Sequence, residues 1–281
     1  MQALTLNLVG PGRVGQTIFR RLADEGVHTI GDVAGRRPES AARAVEAIGA
    51  GRASTLDAMR PADVWFLTVS DTKVRAVAEA LAETTPGPAI AVHCSGFLPA
   101  DEMAPLRDKG WSLASAHPVL TFADPAVAVK QFPGSYCGIE GDEAALDVVR
   151  PLLEGIGAVC FPIRSETKAL YHGAAVMANN FATVLQALAR EAWAEAGVPE
   201  EIVAELHAAI LRPTVENVLA MGPAAALTGP ASRNDWDVVT RQHRAVADWH
   251  PDAGIAYESL SLMARRLKTS GDTRTPHPEE E

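Results

Sequence analysis

Residues 4–15 read Leu-Thr-Leu-Asn-Leu-Val-Gly-Pro-Gly-Arg-Val-Gly, an alternating apolar run that passes into Gly10-x-Gly12-x-x-Gly15. Alternation of period two marks a strand, and Val14, Ile18 and Leu22 then recur at helical spacing. In that context each glycine has a distinct use. Gly10 permits a tight turn, Gly12 lets a phosphate approach the backbone, and Gly15 lets the helix pack close to the strand. The start of the helix, at Arg13 and Val14, then offers free N–H groups to a pyrophosphate. The expectation is a dinucleotide site; the alternative is a glycine-rich turn that only joins strand to helix.

Beyond this motif, apolar segments alternate with helical ones. Strands are expected at 28–35, 63–69, 89–93, 112–116, 135–139 and 158–163, with helices at 38–48, 73–81 and 144–156. That order predicts an α/β fold of Rossmann type, a doubly wound, mainly parallel sheet covered on both faces. The pattern changes at Ser165: a long helix runs to about Gly197, a second covers 199–221, a loop 222–235, and further helices 236–268. The expected organisation is a dinucleotide-binding domain over 1–164, an all-helical substrate and dimerisation domain over 165–268, and a polar, frayed tail over 269–281.

The chain has 281 residues, 47% hydrophobic and 21% charged, the composition of a soluble globular enzyme. Neither a membrane-length apolar run nor a secretory signal is visible, so the expected location is cytoplasmic. The three cysteines, Cys94, Cys137 and Cys160, are odd in number and widely spaced. That argues against a disulfide framework or a zinc site, and each reads as a small buried hydrophobe; no metal is expected. A net charge of −10 disfavours nucleic acid and anionic membranes as partners.

The end of the second strand discriminates between nicotinamide cofactors. An acidic residue there would bind a ribose diol; the sequence instead offers Arg36, Arg37 and Ser40, which favour the 2′-phosphate of NADP. Two arginines that simply face water are the alternative. Val69 and Ser70 close an apolar strand at the carboxyl edge, where ligands bind in such sheets, and their backbone is expected to border the cofactor. Ser70 and Asp71 also suit a helix cap. Ser95, before the flexible Gly96, is a candidate to touch substrate, whereas His93 reads as a buried strand residue with a satisfied ring. His117, directly before Pro118, projects from a strand end and is a candidate to bind substrate or shuttle a proton, or else to bond a loop backbone.

Lys168, His172 and Asn179 are spaced to lie within about 40° on one helical face. A lysine and a histidine there could protonate a substrate oxygen as hydride reaches carbon, with Asn179 orienting the substrate. Each also has a structural reading: a solvated lysine, a histidine at a helix contact, an asparagine between helices. Arg233, in the loop 222–235, could clamp a carboxylate, or be a surface charge beside the helix caps Thr228 and Asp235.

Together, VGPGRVG at 9–15, HCSG at 93–96, AHPVLTF at 116–122, KALYHGAAVMANN at 168–180 and GPAAALTGPASRND at 222–235 resemble a bacterial Rossmann-like family. Its helical C-terminal half is a domain of unknown function, number 2520. More widely the chain resembles the 6-phosphogluconate dehydrogenase-like enzymes: β-hydroxyacid dehydrogenases, ketopantoate reductases, pyrroline-5-carboxylate reductases and deazaflavin-dependent NADP reductases. The resemblance implies NADP, an interdomain active site and dimerisation through the helical domains. In the hydroxyacid and ketopantoate branches a catalytic lysine opens the first helix of the second domain, with an asparagine one turn later. Lys168 matches that lysine, but His172 stands at the next turn.

The expected function is therefore an NADP-dependent oxidoreductase passing hydride to or from a small carbonyl or imine compound, a carboxylate, with Lys168 and His172 as proton donors. A ketopantoate-like 2-oxo acid leads, and a cyclic imine acid follows. Two alternatives remain open: an NADP-binding sensor without turnover, and hydride exchange with a deazaflavin.

Overall fold

In the computed structural model, which describes residues 2–85 and 87–275, every residue of the strand β4 (Val64–Leu67) is buried. Alternate side chains enter different cores, Val64 and Phe66 one, Trp65 and Leu67 the other. A strand covered on both faces needs no polar alternation, which is why its segment reads as a continuous apolar run. Around it stand β1 (Thr5–Val9), β2 (Thr29–Ala34), β3 (Arg52–Ser54), β5 (Ile90–His93), β6 (Ser112–Pro118), β7 (Tyr136–Gly141) and β8 (Val159–Pro162). They form one sheet in the order β3-β2-β1-β4-β5-β6-β7-β8. All pairings are parallel except β6 with β7, where Ala116 faces Ile139 and His117 faces Gly138.

Helices α1 (Arg13–Glu25), α2 (Pro38–Ile48), α3 (Asp71–Thr84), α4 (Pro125–Gln131) and α5 (Glu143–Gly155), with a 3-10 segment at Ala100–Lys109, connect the strands. From α1, Ile18, Phe19 and Leu22 enter the first core; from α3, Val74, Ala78 and Leu81 enter the second. Phe19 meets Phe66 edge to face at 5.3 Å, and full burial of a ring of this size stabilises by about 1.5–3 kcal/mol. The sequence pattern does not anticipate β3, α4 or the 3-10 segment. β3 is short, polar and at the sheet edge, held by Arg52 on Asp32 at 2.7 Å. α4 has an overlooked start signal, Asp124-Pro125, whose carboxylate accepts from the amides of Ala126 at 2.7 Å and Val127 at 3.2 Å.

The chain divides into two compact units, Met1–Val176 and Met177–Glu281. The helical run therefore begins inside the first unit, with a 3-10 turn at Ser165–Thr167 and α6 (Lys168–Val176). The reason is side-chain anchorage: Lys168 and Tyr171 both bond to residues of the sheet.

The second unit, all helical as the sequence implies, comprises a π-helical turn at Met177–Phe181, then α7 (Ala182–Glu195), α8 (Glu200–Met221), α9 (Pro223–Ala226), α10 (Trp236–Trp249) and α11 (Pro251–Ser270). Gly254 lets α11 approach α10, since a Cβ there would lie 2.7 Å from Ala247 Cα. Large apolar side chains, Ile210, Leu219 and Ile255 among them, are exposed. The start of the expected tail, Thr269 and Ser270, is helical, and 276–281 lie outside the described residues. Among the described residues no helix is long and apolar enough to cross a membrane.

Candidate functional site

A cleft of about 730 Å³ opens where β1, β2 and β4 end, and Gly10, Gly12, Arg36, Ser40, Val69 and Ser70 all line it. The three motif glycines act differently. Gly10 has φ +81°, and a Cβ on it would strike the Val69 side chain and lie 2.8 Å from Val69 N, so only glycine fits. At Gly12 the nearest atom to a Cβ would be Gly10 O at 3.9 Å, leaving open space for a ligand. Gly15 is buried, and its Cβ would strike Thr68 Oγ1 and Leu8, so it sets how closely α1 packs. Thr68, which the sequence reading missed, donates from its hydroxyl to Gly10 O at 2.6 Å and fixes the turn. Lys73 is a further missed cation on the wall. Arg13 is exposed at the start of α1 and Val14 packs on the first core. These two, Gly15 and Arg37 lie off the cleft wall.

No acidic residue lines this cleft among the described residues. Arg36 is exposed on its wall, while Arg37 caps α2, its carbonyl accepting from the Ser40 hydroxyl at 2.6 Å. The acid of β2, Asp32, is buried and turned aside. Its carboxylate accepts from Arg52 Nη2, Arg60 Nη2 and Arg60 N, each at 2.7 Å. Burial opposes its ionisation, but the two guanidiniums outweigh that and hold the carboxyl well below the usual range.

A second group of residues gathers at the ends of β5 and β6. His117 Nδ1 lies 2.9 Å from the Tyr171 hydroxyl, and the His117 and His172 rings stand 5.9 Å apart, edge to face. Gly96 makes room for both, because a Cβ there would lie 2.8 Å from His117 Nε2. Gly138 makes room for Tyr171 in the same way, at 2.9 Å from its hydroxyl. Burial lowers the His117 pKa to about 4, assisted by the charges of His172 and Lys168 and opposed by Asp71. Burial pushes the Tyr171 hydroxyl up to about 12. Tyr171 was missed in the sequence, although it stands three residues after Lys168 on the same helix.

Lys168 is 1% exposed, so a solvated lysine is not what forms. Its Nζ donates to Ser115 Oγ and, at 3.1 Å, to Glu140 Oε1. Glu140 is itself buried, accepting from Ala100 N at 2.8 Å and from Ser165 Oγ at 2.6 Å. Burial pulls the Lys168 ammonium below its ordinary pKa, and Glu140 opposes that shift. No sequence signal marks Glu140 as its partner.

The other candidates fare differently. Ser95 is buried, and its Oγ accepts from the amides of Phe97 at 3.1 Å and Leu98 at 3.0 Å, shaping the loop. The His93 ring is satisfied at both nitrogens, by Pro99 O at 3.0 Å and Ser95 N at 3.2 Å, and burial lowers its pKa to about 4. Ser70 precedes α3 without a side-chain cap bond, and Asp71 is its first residue. The alignment of Asn179 with Lys168 assumed an ideal helix; the π-helical turn at Met177–Phe181 breaks that period, and Asn179 is exposed in the second unit. Arg233 is exposed and pairs with Asp235 at 3.3 Å, the surface-charge alternative.

A Rossmann-type sheet with a glycine-lined cleft at its carboxyl edge, followed in the chain by a helical unit, defines the class of two-part, nicotinamide-dependent oxidoreductase-like proteins. The family described as "NADP oxidoreductase coenzyme F420-dependent" matches residues 5–93, and "Domain of unknown function (DUF2520)" matches 135–264. A crystallised protein of Thermotoga maritima, TM1727, is 30% identical over 95% of this chain and 99% of its own, with a TM-score of 0.76. The chain belongs to this family, in which an NADP oxidoreductase-type domain precedes DUF2520. In fold it is also similar to a Bacteroides fragilis protein provisionally named an NADP oxidoreductase (22% identity, 94% of this chain, 99% of that one, TM-score 0.70). The same holds for 1-pyrroline-5-carboxylate reductase of Streptococcus pyogenes (13%, 95% and 100%, 0.59). No curated protein matches.

Proposed function

We propose that this chain is an NADP-dependent oxidoreductase acting on the carbonyl or imine carbon of a small carboxylic acid, a ketopantoate-like 2-oxo acid first. The observation that carries the reading is the succession of cleft and histidine pair along one sheet edge. Ser70 lines the cleft just past β4, and β4, β5 and β6 run parallel in register, Leu67 beside His93 and His93 beside Ser115, so His117 leaves the sheet at the same edge. The residues fit the cofactor: Gly12 leaves its backbone open to a pyrophosphate, and Arg36 with Ser40 suits a 2′-phosphate. Bound there, the nicotinamide supplies or accepts the hydride.

With its pKa near 4, the His117 ring is neutral at pH 7. The Tyr171 hydroxyl stays protonated, and in the tautomer where it donates to His117 Nδ1, 2.9 Å away, the ring proton lies on Nε2. An N–H held there polarises a substrate oxygen, and His172 beside it supplies the proton. Lys168 acts as a positioning residue and fixed buried charge, in place of the proton donor expected from the sequence.

The matched F420-dependent description supports a second reading, hydride exchange with a deazaflavin. The exposed apolar side chains of the helical unit support a homodimer. The test is NADPH oxidation against a panel of 2-oxo acids, cyclic imine acids and a deazaflavin. Turnover lost in His172→Ala supports the reading; tight nucleotide binding with every partner inert sinks it and leaves the sensor.

A further inference from the structure

The strands β7 and β8 carry one cysteine each, and their parallel register makes Cys137 and Cys160 direct partners. Neighbouring strands lie about 4.8 Å apart, inside the range of about 4.4–6.8 Å between Cα atoms that a disulfide spans. Both side chains pack on the same core, so the two thiols stand side by side on one face of the sheet.

Their surroundings differ. Cys137 is fully buried, while Cys160 is half-buried on β8, the last strand of the sheet. Arg150 donates to the Cys160 carbonyl at 3.3 Å. The neighbouring Cys137 thiol draws the Cys160 thiol below its ordinary pKa, against burial and Glu154, with Arg150 assisting. The same contact and burial push Cys137 up. An accessible sulfur with thiolate character beside a buried thiol is the arrangement of an attacking and a resolving cysteine. Cys94, half-buried like Cys160, lacks the rest of the arrangement: its thiol is pushed up to about 12, and it has no register partner on a neighbouring strand.

We propose that Cys137 and Cys160 form an oxidation site at which hydrogen peroxide closes a reversible disulfide between β7 and β8. The Cys160 thiolate attacks one peroxide oxygen, the O–O bond breaks, and hydroxide leaves to take up a proton as water. The resulting sulfenic acid is attacked at sulfur by Cys137, whose proton leaves with the second water. Two thiols lose two electrons and two protons, and one peroxide becomes two waters. Cys160 is half-buried on the last strand, and exposed disulfides are the more easily reduced ones. The inference does not depend on the oxidoreductase reading.

The test uses the full-length chain, fully reduced, exposed to equimolar hydrogen peroxide, denatured, and assayed for thiols and linked peptides by mass spectrometry. Free thiols are expected to fall from three per chain to one, with a Cys137–Cys160 peptide two hydrogens lighter, and dithiothreitol should restore all three. In Cys94→Ser the same link should form; in Cys160→Ser it should not, with Cys137 left as a thiol. Linkage through Cys94, linkage between chains, sulfinic acid at Cys160 with Cys137 free, or no reaction would each overturn the proposal. The wild-type peptide map decides the matter even if a variant fails to fold.

Discussion

The Tyr171 hydroxyl lies 2.9 Å from His117 Nδ1, and a Cβ on Gly138 would come equally close to it. One phenol thus holds a ring on β6 and requires a glycine on β7. Tyr171→Phe removes the hydroxyl beside Nδ1 while keeping the packing. Turnover should drop roughly 10–100-fold, with little change in nucleotide affinity, and nitrogen NMR should find the His117 proton spread over both ring nitrogens. An unchanged rate and tautomer would take Tyr171 out of the mechanism.

The Lys168–Glu140 pair is buried on both sides. Removing one partner from such a pair leaves an uncompensated charge and costs about 3–5 kcal/mol. Glu140→Gln, which keeps an acceptor for Ala100 N, should fall near the lower end in urea unfolding. Adding Lys168→Met should recover part of the loss; a double variant as unstable as the sum of the singles would show the two are not coupled.

Arg36 supplies the guanidinium of the cleft wall. A charged hydrogen bond is worth about 1.5–3 kcal/mol, so Arg36→Ala should weaken NADP binding about 10–100-fold and leave NAD binding nearly as it was. Calorimetry with both nucleotides measures this, and an equal loss for both would remove Arg36 from 2′-phosphate recognition.

His93 and His117 titrate near pH 6.5 when unfolded and near 4 in the native state. Between those values the unfolded chain binds more protons, so stability rises with pH across the window and is lost as pH falls from 6.5 to 4. The loss is on the order of 3 kcal/mol per ring. Asp32, held low by its arginines, adds its own loss only below about pH 4. Urea midpoints taken from pH 7 to pH 4 should decline, and His93→Gln should flatten the curve; a flat wild-type curve would contradict the burial of these rings.

Much of the fold was legible because it is locally encoded. The glycine motif, the apolar β4 and the helices after Ser165 each announce themselves within one segment. The direction of β7 was not legible, because alternation of apolar residues is the same for parallel and antiparallel strands. Nor was β3, whose Arg52 is fixed by a carboxylate twenty residues earlier in the chain. In the site, Lys168 and His172 were picked out by helical spacing, but the burial of Lys168 depends on Glu140, a contact between distant segments. Tyr171 could have been found: it stands three residues after Lys168, on a neighbouring line of the same helix, with a hydroxyl that suits a polar site. The spacing argument for Asn179 assumes ideal helical geometry, from which the π-helical turn at Met177–Phe181 departs.

The reversal at β7 has a consequence for where the last helix of the first unit travels. Running against β6, the strands β7 and β8 carry the chain away from the cleft, and Pro162 stops opposite Ile139, at the level of Ala116. The polypeptide must turn and climb. Its first rung is Lys168 on Ser115, its second Tyr171 on His117, and its last His172 over Gly96. The inverted pair of strands thereby strings an interior ammonium and a rim imidazole along one ascending path, so the electrostatics of the floor and the chemistry of the rim are inherited together.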